Sequence, residues 1–564
     1  MAGNILTPVS LWGQFKINQP VNAQVISERS DGEVVFSYLT LCGREVKDGQ
    51  VKISAVLARK AQLGVAPACL VLQDVCFAPD ERLMKELAMN GYTVLSVDFA
   101  GETDGKDRFT EYPESLSYAK YSNVKDLYTF DGDADKTCWY EWTVVARYAL
   151  AYLKGLTNVT GVGAMAFGHS ATMLWQVSAF EEDLACAVFG LNAGWQGYRE
   201  IYKFGGQVEP QFTDDLYKFI AGIEPQSYAK HVHCPVLMLS ATNSALYDVD
   251  RAYDTVARLE DGVYRALDYS VGYRNRINAE GFKNALLFFD RFLMRAGSKG
   301  KNLPEELEIK CDVEDGKIIV EVMPDVENIK EVVVYASEQM ANPALRSWNK
   351  ISDSVLVKDG VYRFEYSPYP NSGMAVFFAR ATYKNGFSIS SNVVAKKFTS
   401  EEVSVAYKSN IIYSSRIENA ESVFTVAHEL GNNPQSINVI DQEKVIVKKG
   451  PVGIEGVFGS GGLLTFKINA EKNKPNDDAM LMLDVYSEKD GKMIIKLIAD
   501  YFGNKTEYIA IVNVVGGQLW QNVKLERTRF KTAEGLPLKS FSNINAMEFL
   551  PDSQNYLINN ALWV

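Results

Sequence analysis

The stretch from Thr157 to Val177, TNVTGVGAMAFGHSATMLWQV, constrains this chain more than any other. A β-branched and apolar run from Val159 to Phe167 leads into Gly168-His169-Ser170-Ala171-Thr172, and an apolar, glycine-free segment suited to a helix follows. Strand, sharp turn and helix, in that order, form the setting in which a G-x-S-x-G-like sequence presents a serine hydroxyl above a parallel sheet. Thr172 stands where the second glycine is usual, which crowds the turn without forbidding it. The pentapeptide by itself reads first as a Gly-Ser turn at a strand end. Its flanks favour the nucleophile turn and make Ser170 the candidate nucleophile.

A chain of 564 residues exceeds what one core organises, so several domains are expected. The formal net charge of −12 excludes an electrostatic footprint for nucleic acid or an anionic membrane surface, and neither partner is expected. No apolar run approaches the roughly 18 residues that span a bilayer. The opening MAGNILTPVSLWGQF lacks a basic segment followed by a long apolar one, and no secretory signal is read there. Seven cysteines with no C-x-x-C or Cys/His spacing fit reduced core thiols in a cytoplasmic protein. No cofactor is expected. The acidic loops around Asp98, Asp104, Asp107 and Glu111, and around Asp131, Asp133 and Asp135, lack the spaced glutamate of a calcium loop, and no metal site is assigned.

In chain order, alternating strands between Ile17 and Val56 precede a β-α-β pattern: Ala68 to Leu72, a helix across Asp80 to Asn90, and Thr93 to Asp98. A polar and aromatic excursion after Asp98 is expected to cover the top of the sheet. Further strands are read near Leu184–Leu191, Pro235–Ala241 and Tyr264–Tyr269, with a closing helix from Ala279 to Met294. The expected division is an α/β domain with a doubly wound, mostly parallel sheet over 1–297 and a linker over 298–306. An immunoglobulin-like β-sandwich over 307–400 and a jelly-roll β-sandwich over 401–564 complete it.

The first 297 residues resemble the α/β-hydrolase superfamily, and within it the dienelactone hydrolase and acetyl xylan esterase branch. That resemblance implies a triad in the order Ser, Asp or Glu, then His. After the strand Pro235–Leu239 the acid position holds Ser244, and after Tyr264–Tyr269 the histidine position holds Asn275. For the oxyanion side and pocket the resemblance points to Gln73, Val75, His169 and Ala171, since backbone amides serve there whatever their side chains. Only four histidines exist. His169 should project away from Ser170, His231 and His233 lie toward the opposite end of the sheet, and His428 belongs to the last domain. Asp248 and Asp250 read as helix N-terminal carboxylates.

Trp139, Tyr140 and Trp142 offer an aromatic wall near the presumed pocket. The final domain resembles galactose-binding-like jelly rolls, with Tyr501, Phe502 and Trp520 as ring-stacking candidates. The expected function is a degenerate esterase relative that keeps Ser170, lacks its acid and base, and binds a small molecule or carbohydrate, acylated or not. Two alternatives stay open: an active serine hydrolase of carboxylic esters with an unorthodox base, and a non-catalytic assembly or partner-binding protein. The sequence does not fix the oligomeric state.

Overall fold

Every residue of Ala66–Leu72 and of Thr93–Val97 is buried, a condition met by strands of a sheet covered on both faces. The computed structural model describes residues 4–564 apart from 18–19, 104, 129–131, 206–210, 245–246, 274–275, 295–302, 305, 326–327, 339, 352–353, 357–359, 405, 428–439, 442–444, 518 and 553–554. After a short helix α1 (Pro8–Trp12) come β1 (Ala23–Asp31), β2 (Val34–Val46), β3 (Gly49–Lys60), β4 (Ala66–Leu72), α2 (Glu81–Met89) and β5 (Thr93–Val97). Then follow α3 (Cys138–Gly155), β6 (Val159–Phe167), α4 (His169–Phe180), β7 (Ala187–Gly190), β8 (Val236–Asn243) and β9 (Arg265–Tyr273). They build one nine-stranded sheet in the order β1-β2-β3-β5-β4-β6-β7-β8-β9. The pairings from β1 through β3 to β5 are antiparallel, and those from β5 onward are parallel.

Local sequence explains the helix starts. Asp80 accepts the amides of Arg82 and Leu83 at 3.0 and 3.1 Å and caps α2, and the Thr137 hydroxyl caps α3. Alternation along β6 divides the core: Ala164 and Ala166 face α3 and α4, whereas Met165 and Phe167 face α2 and the helix Ala279–Phe289.

Beyond residue 307 the chain is β-rich. A four-stranded sheet runs Glu308–Glu314, Lys317–Met323, Tyr362–Tyr366, Ser354–Leu356 in spatial order. A second runs Asn349–Ile351, Ile329–Glu338, Met374–Tyr383, Ser388–Ser390, with Val394–Lys397 also paired to Met374–Tyr383. A six-stranded and a five-stranded sheet occupy the region from Ile411 onward, where Tyr556–Trp563 lies between Glu455–Gly459 and Met480–Ser487. Among the described residues no helix is long and apolar enough to cross a membrane.

The β regions are joined to the first sheet by buried polar bonds. The Arg346 guanidinium grips the Asp250 carboxylate with both amino groups, Nη2 lying 2.7 Å from Oδ2, and neither side chain has measurable exposure. Arg380 pairs with Asp268 at 2.7 Å, and Asn284 donates to Asp268 at 2.7 Å and to the Ser388 carbonyl at 2.8 Å. Breaking a buried pair from one side strands the other charge. Arg346→Ala is therefore expected to destabilise the protein by about 3–5 kcal/mol in denaturant unfolding. Adding Asp250→Asn should cost much less than the sum of the two single losses.

Candidate functional site

The strained residue between β6 and α4 is Gly168, not Ser170. Gly168 has φ 60° and ψ −129°, its amide donates to the Gly190 carbonyl at 2.9 Å, and α4 begins with His169. In a nucleophile turn the strained apex carries the nucleophile; here that position carries no side chain. Ser170, the sequence's candidate, lies in the first turn of α4 and is wholly buried. Its hydroxyl lies 2.9 Å from the carbonyl oxygens of both Leu72 and Phe167, to either of which it can donate, and it accepts the Phe167 amide at 3.1 Å. The expectation that Ser170 presents its hydroxyl above the sheet is thus overturned. The hydroxyl ties the ends of β4 and β6 to the start of α4.

The shift of register moves the oxyanion side as well. Such a site uses the amide of the residue after the apex and one from the loop after the first central parallel strand. Here these are His169 and Val75, not Ala171, whose amide turns back to the Gly168 carbonyl at 3.2 Å. Both amides are already engaged. Asp74 Oδ1 accepts His169 N–H at 2.8 Å and Val75 N–H at 2.8 Å. A β-carbon added at Gly168 would lie 2.3 Å from Asp74 Oδ2, so the carboxylate fills the room a nucleophile's side chain needs. Gln73 is buried beneath this loop, its amide nitrogen without a partner among the described residues.

His169 completes a polar chain. Its Nδ1 stands 3.0 Å from Asp74 Oδ1, and its Nε2 stands 3.0 Å from the Tyr128 hydroxyl. A carboxylate only accepts, so Nδ1 carries a proton, and Nε2 pairs with the Tyr128 hydroxyl. Tyr128 comes from the polar excursion after β5; burial pushes its phenol above the ordinary range, and the Arg199 guanidinium lies 4.1 Å from its ring centre. Cys76, two residues beyond Asp74, has φ 78°, and burial raises its thiol, which keeps it protonated.

The strand ends that would carry an acid and a histidine serve other contacts. At the end of β8, Asn243 donates to the carbonyls of Ala344 (2.9 Å) and Arg346 (2.7 Å), and Ser244 beyond it is buried. At the end of β9, a β-carbon on Gly272 would meet Thr425 Cγ2 at 1.9 Å, and Tyr273 packs against Tyr501 and Phe502 at 5.8 and 5.4 Å between ring centres. Asn275 and His428 lie outside the described residues, as do Asp104 and Asp131. Asp98 is taken by Lys106 at 2.7 Å and by the Gly101 and Thr110 amides. Asp248 caps the helix Val249–Val256.

The aromatic candidates are structural. Trp139 and Trp142 are buried and donate to the Leu127 (2.6 Å) and Ala119 (2.8 Å) carbonyls, while Tyr140 stacks on Trp12 with ring centres 4.6 Å apart. Tyr501 and Phe502 face Tyr273 and Phe466 at the junction with the first domain. Trp520 packs over Gly450 and Gly456 and donates to the Pro451 carbonyl at 3.3 Å. The residues that sequence reading missed are Asp74, Tyr128 and Glu224. Glu224 is wholly buried and accepts the Gly197 amide at 2.9 Å, thereby holding the loop that carries Arg199. Desolvation raises its carboxyl from 4.5 to about 7.

No protein-family model and no curated protein matches the chain. Among solved structures it is similar to an acetyl xylan esterase from Paenibacillus sp. R4, with 12% identity and a TM-score of 0.37 over 51% of this chain and 92% of that one. It is also similar to acetyl xylan esterase 1 from Thermoanaerobacterium sp. JW/SL YS485 (13%, TM-score 0.35, 49% and 89%). A third is a glucuronoyl esterase from Solibacter usitatus (12%, TM-score 0.34, 49% and 87%). The α/β-hydrolase-like fold of the first region stands on its own sheet order and on its strand-turn-helix at Gly168.

Two outcomes follow. Gly168→Ala should be strongly destabilising, by at least about 2 kcal/mol, because it meets both a positive φ and the Asp74 carboxylate. Asp74→Gly should recover part of that loss in a denaturant-based double-mutant cycle. Glu224 binds its proton more tightly folded than unfolded, so its contribution is fully present below about pH 4.5 and is lost as pH rises through about 7. Glu224→Gln should flatten that fall, a difference of roughly 3 kcal/mol between its ends.

Proposed function

We propose that this chain is an esterase-fold protein whose hydrolytic centre is closed, and that it acts by binding and not by ester turnover. The observation that carries the reading is the Asp74 carboxylate on the His169 and Val75 amides beside a side-chain-free apex at Gly168. Acyl transfer at such a turn needs a nucleophile at the apex and an empty pair of donors for the developing oxyanion. Neither requirement is met. Ser170 offers no substitute, because its hydroxyl is buried and committed to backbone groups.

The ligand class we assign is carbohydrate. It is supported by a trough of about 390 Å³ in the last β region, bounded by Phe458, Tyr486, Glu488 and Asn555 with Lys448 and Lys449. An aromatic wall beside amide, carboxylate and ammonium groups suits a polyhydroxylated ring, which needs one apolar face and several hydrogen-bonding partners. Binding of xylo-oligosaccharides measured calorimetrically is expected for the intact protein and is expected to weaken about tenfold in Tyr486→Ala.

The rival reading is an active ester hydrolase. Hydrolysis of p-nitrophenyl acetate by the purified protein is expected at the buffer rate and unchanged in Ser170→Ala, and a fluorophosphonate should leave Ser170 unlabelled. Turnover lost with Ser170, or stoichiometric labelling of it, would falsify the closed-centre reading.

A further inference from the structure

β7 leads into the loop 191–200, whose backbone is strained at three places. Leu191, Trp195 and Glu200 take φ values of 61°, 66° and 66°, in the left-handed region that residues with a side chain rarely adopt. Such conformations persist where the surroundings impose them, and they gather at clamps and switches. The contacts that impose them here are specific. The Trp195 amide donates to Gln226 Oε1 at 3.2 Å and its indole to the Thr255 hydroxyl at 2.8 Å, which in turn donates to the Ala193 carbonyl at 2.7 Å. The next two amides, of Gln196 and Gly197, end on the Glu224 carboxyl, the second at 2.9 Å, and Gln226 Nε2 donates to the same carboxyl. Three successive loop amides thus rest on one buried glutamate and its neighbouring glutamine.

Glu224 is wholly buried, and among the described residues no cation pairs with it. The charged groups on the elements around it are bound elsewhere. On the helix Asp214–Gly222, Lys218 pairs with Asp215. On the helix Val249–Val256, Asp250 is gripped by Arg346, Arg251 by Asp248 and Asp254 by Lys203. Arg258 donates to the Gln226 carbonyl, Tyr228 to the Gly222 carbonyl, and α4 presents the neutral Gln176 to the Ile223 carbonyl. On the loop itself Arg199 and Glu200 are exposed, and Arg199 lies over the ring of Tyr128, whose phenol the Glu224 charge reaches.

Burial disfavours the ionised carboxyl, the donated hydrogen bonds favour it, and burial prevails, raising it to about 7. A released loop would let water reach Glu224 and return it to its ordinary value near 4.5. The shut loop therefore holds the proton more tightly than the released one. Its advantage is complete below about pH 4.5 and is lost as pH rises through about 7.

We propose that Glu224 is a pH-sensitive latch for the loop 191–200: protonated, it holds the strained loop shut with Arg199 over Tyr128, and ionised, it lets the loop go and uncovers Tyr128. The latch does not depend on the binding reading of the protein, nor on the state of the centre at Gly168.

Residue-resolved hydrogen exchange of the intact protein at pH 5 and pH 8 tests this, with each rate divided by that of an unprotected amide at the same pH. The Trp195, Gln196 and Gly197 amides are expected to lose protection by roughly fiftyfold between the two, while amides of β6 keep theirs. In Glu224→Gln, which cannot ionise, the loop amides should be protected alike at both pH values. The pH series of the natural protein decides the matter even if that variant fails to fold. Equal loop protection at pH 5 and pH 8, an equal loss throughout β6, or a pH dependence retained in a folded Glu224→Gln would overturn the proposal.

Discussion

One carboxylate governs the centre of this protein. Asp74 lies at the end of β4, where two backbone amides converge, and it accepts both. Two N–H groups aimed at one point in a partly dry site form a strong anion trap, and an internal anion at fixed distance saturates it without the entropic cost of capturing one from solution. The same oxygen accepts the His169 ring, which in turn reaches Tyr128. Each group in the chain is answered by the next, so the cluster is a satisfied polar network at the end of the sheet.

The β regions reinforce that closure at the same end of the sheet. In an α/β sheet a ligand site opens outside the carboxyl ends of the parallel strands. At β8 and β9 those ends are spent on Asn243 holding Ala344 and Arg346, and on Tyr273 packing against Tyr501 and Phe502. The buried Arg346–Asp250 and Arg380–Asp268 pairs add further polar ties between the first sheet and the β regions.

Much of the fold was legible because period and punctuation agree. The buried runs of β4 and β5, Asp80 before α2 and the β-branched approach to Gly168 each have a local cause that the surroundings did not overrule. The site was legible only in outline. Sequence points to the right turn but places its apex two residues late: a glycine and a serine sit close together, and which of them takes the positive φ depends on where β6 ends, a matter of tertiary register. Asp74 carried no signal, since an aspartate after a buried strand reads as an ordinary turn residue until its carboxylate is seen against His169 at the end of the neighbouring strand. Trp139, Trp142, Tyr501 and Phe502 were visible as aromatics, but their use as core and junction was set by contacts far along the chain. The helix Asp214–Gly222 and the buried Glu224 fall between β7 and β8 in a segment without a clear period.

Because the chain has only four histidines, selective ¹⁵N-histidine labelling isolates the His169 amide among a handful of backbone signals. Titration with acetate, comparing the natural protein with Asp74→Ala, asks directly whether the carboxylate holds the anion trap. The account predicts no change of the His169 amide in the natural protein and a saturable shift in Asp74→Ala, as the added carboxylate takes the vacated place. An equal shift in both proteins, or none in the variant, would contradict it.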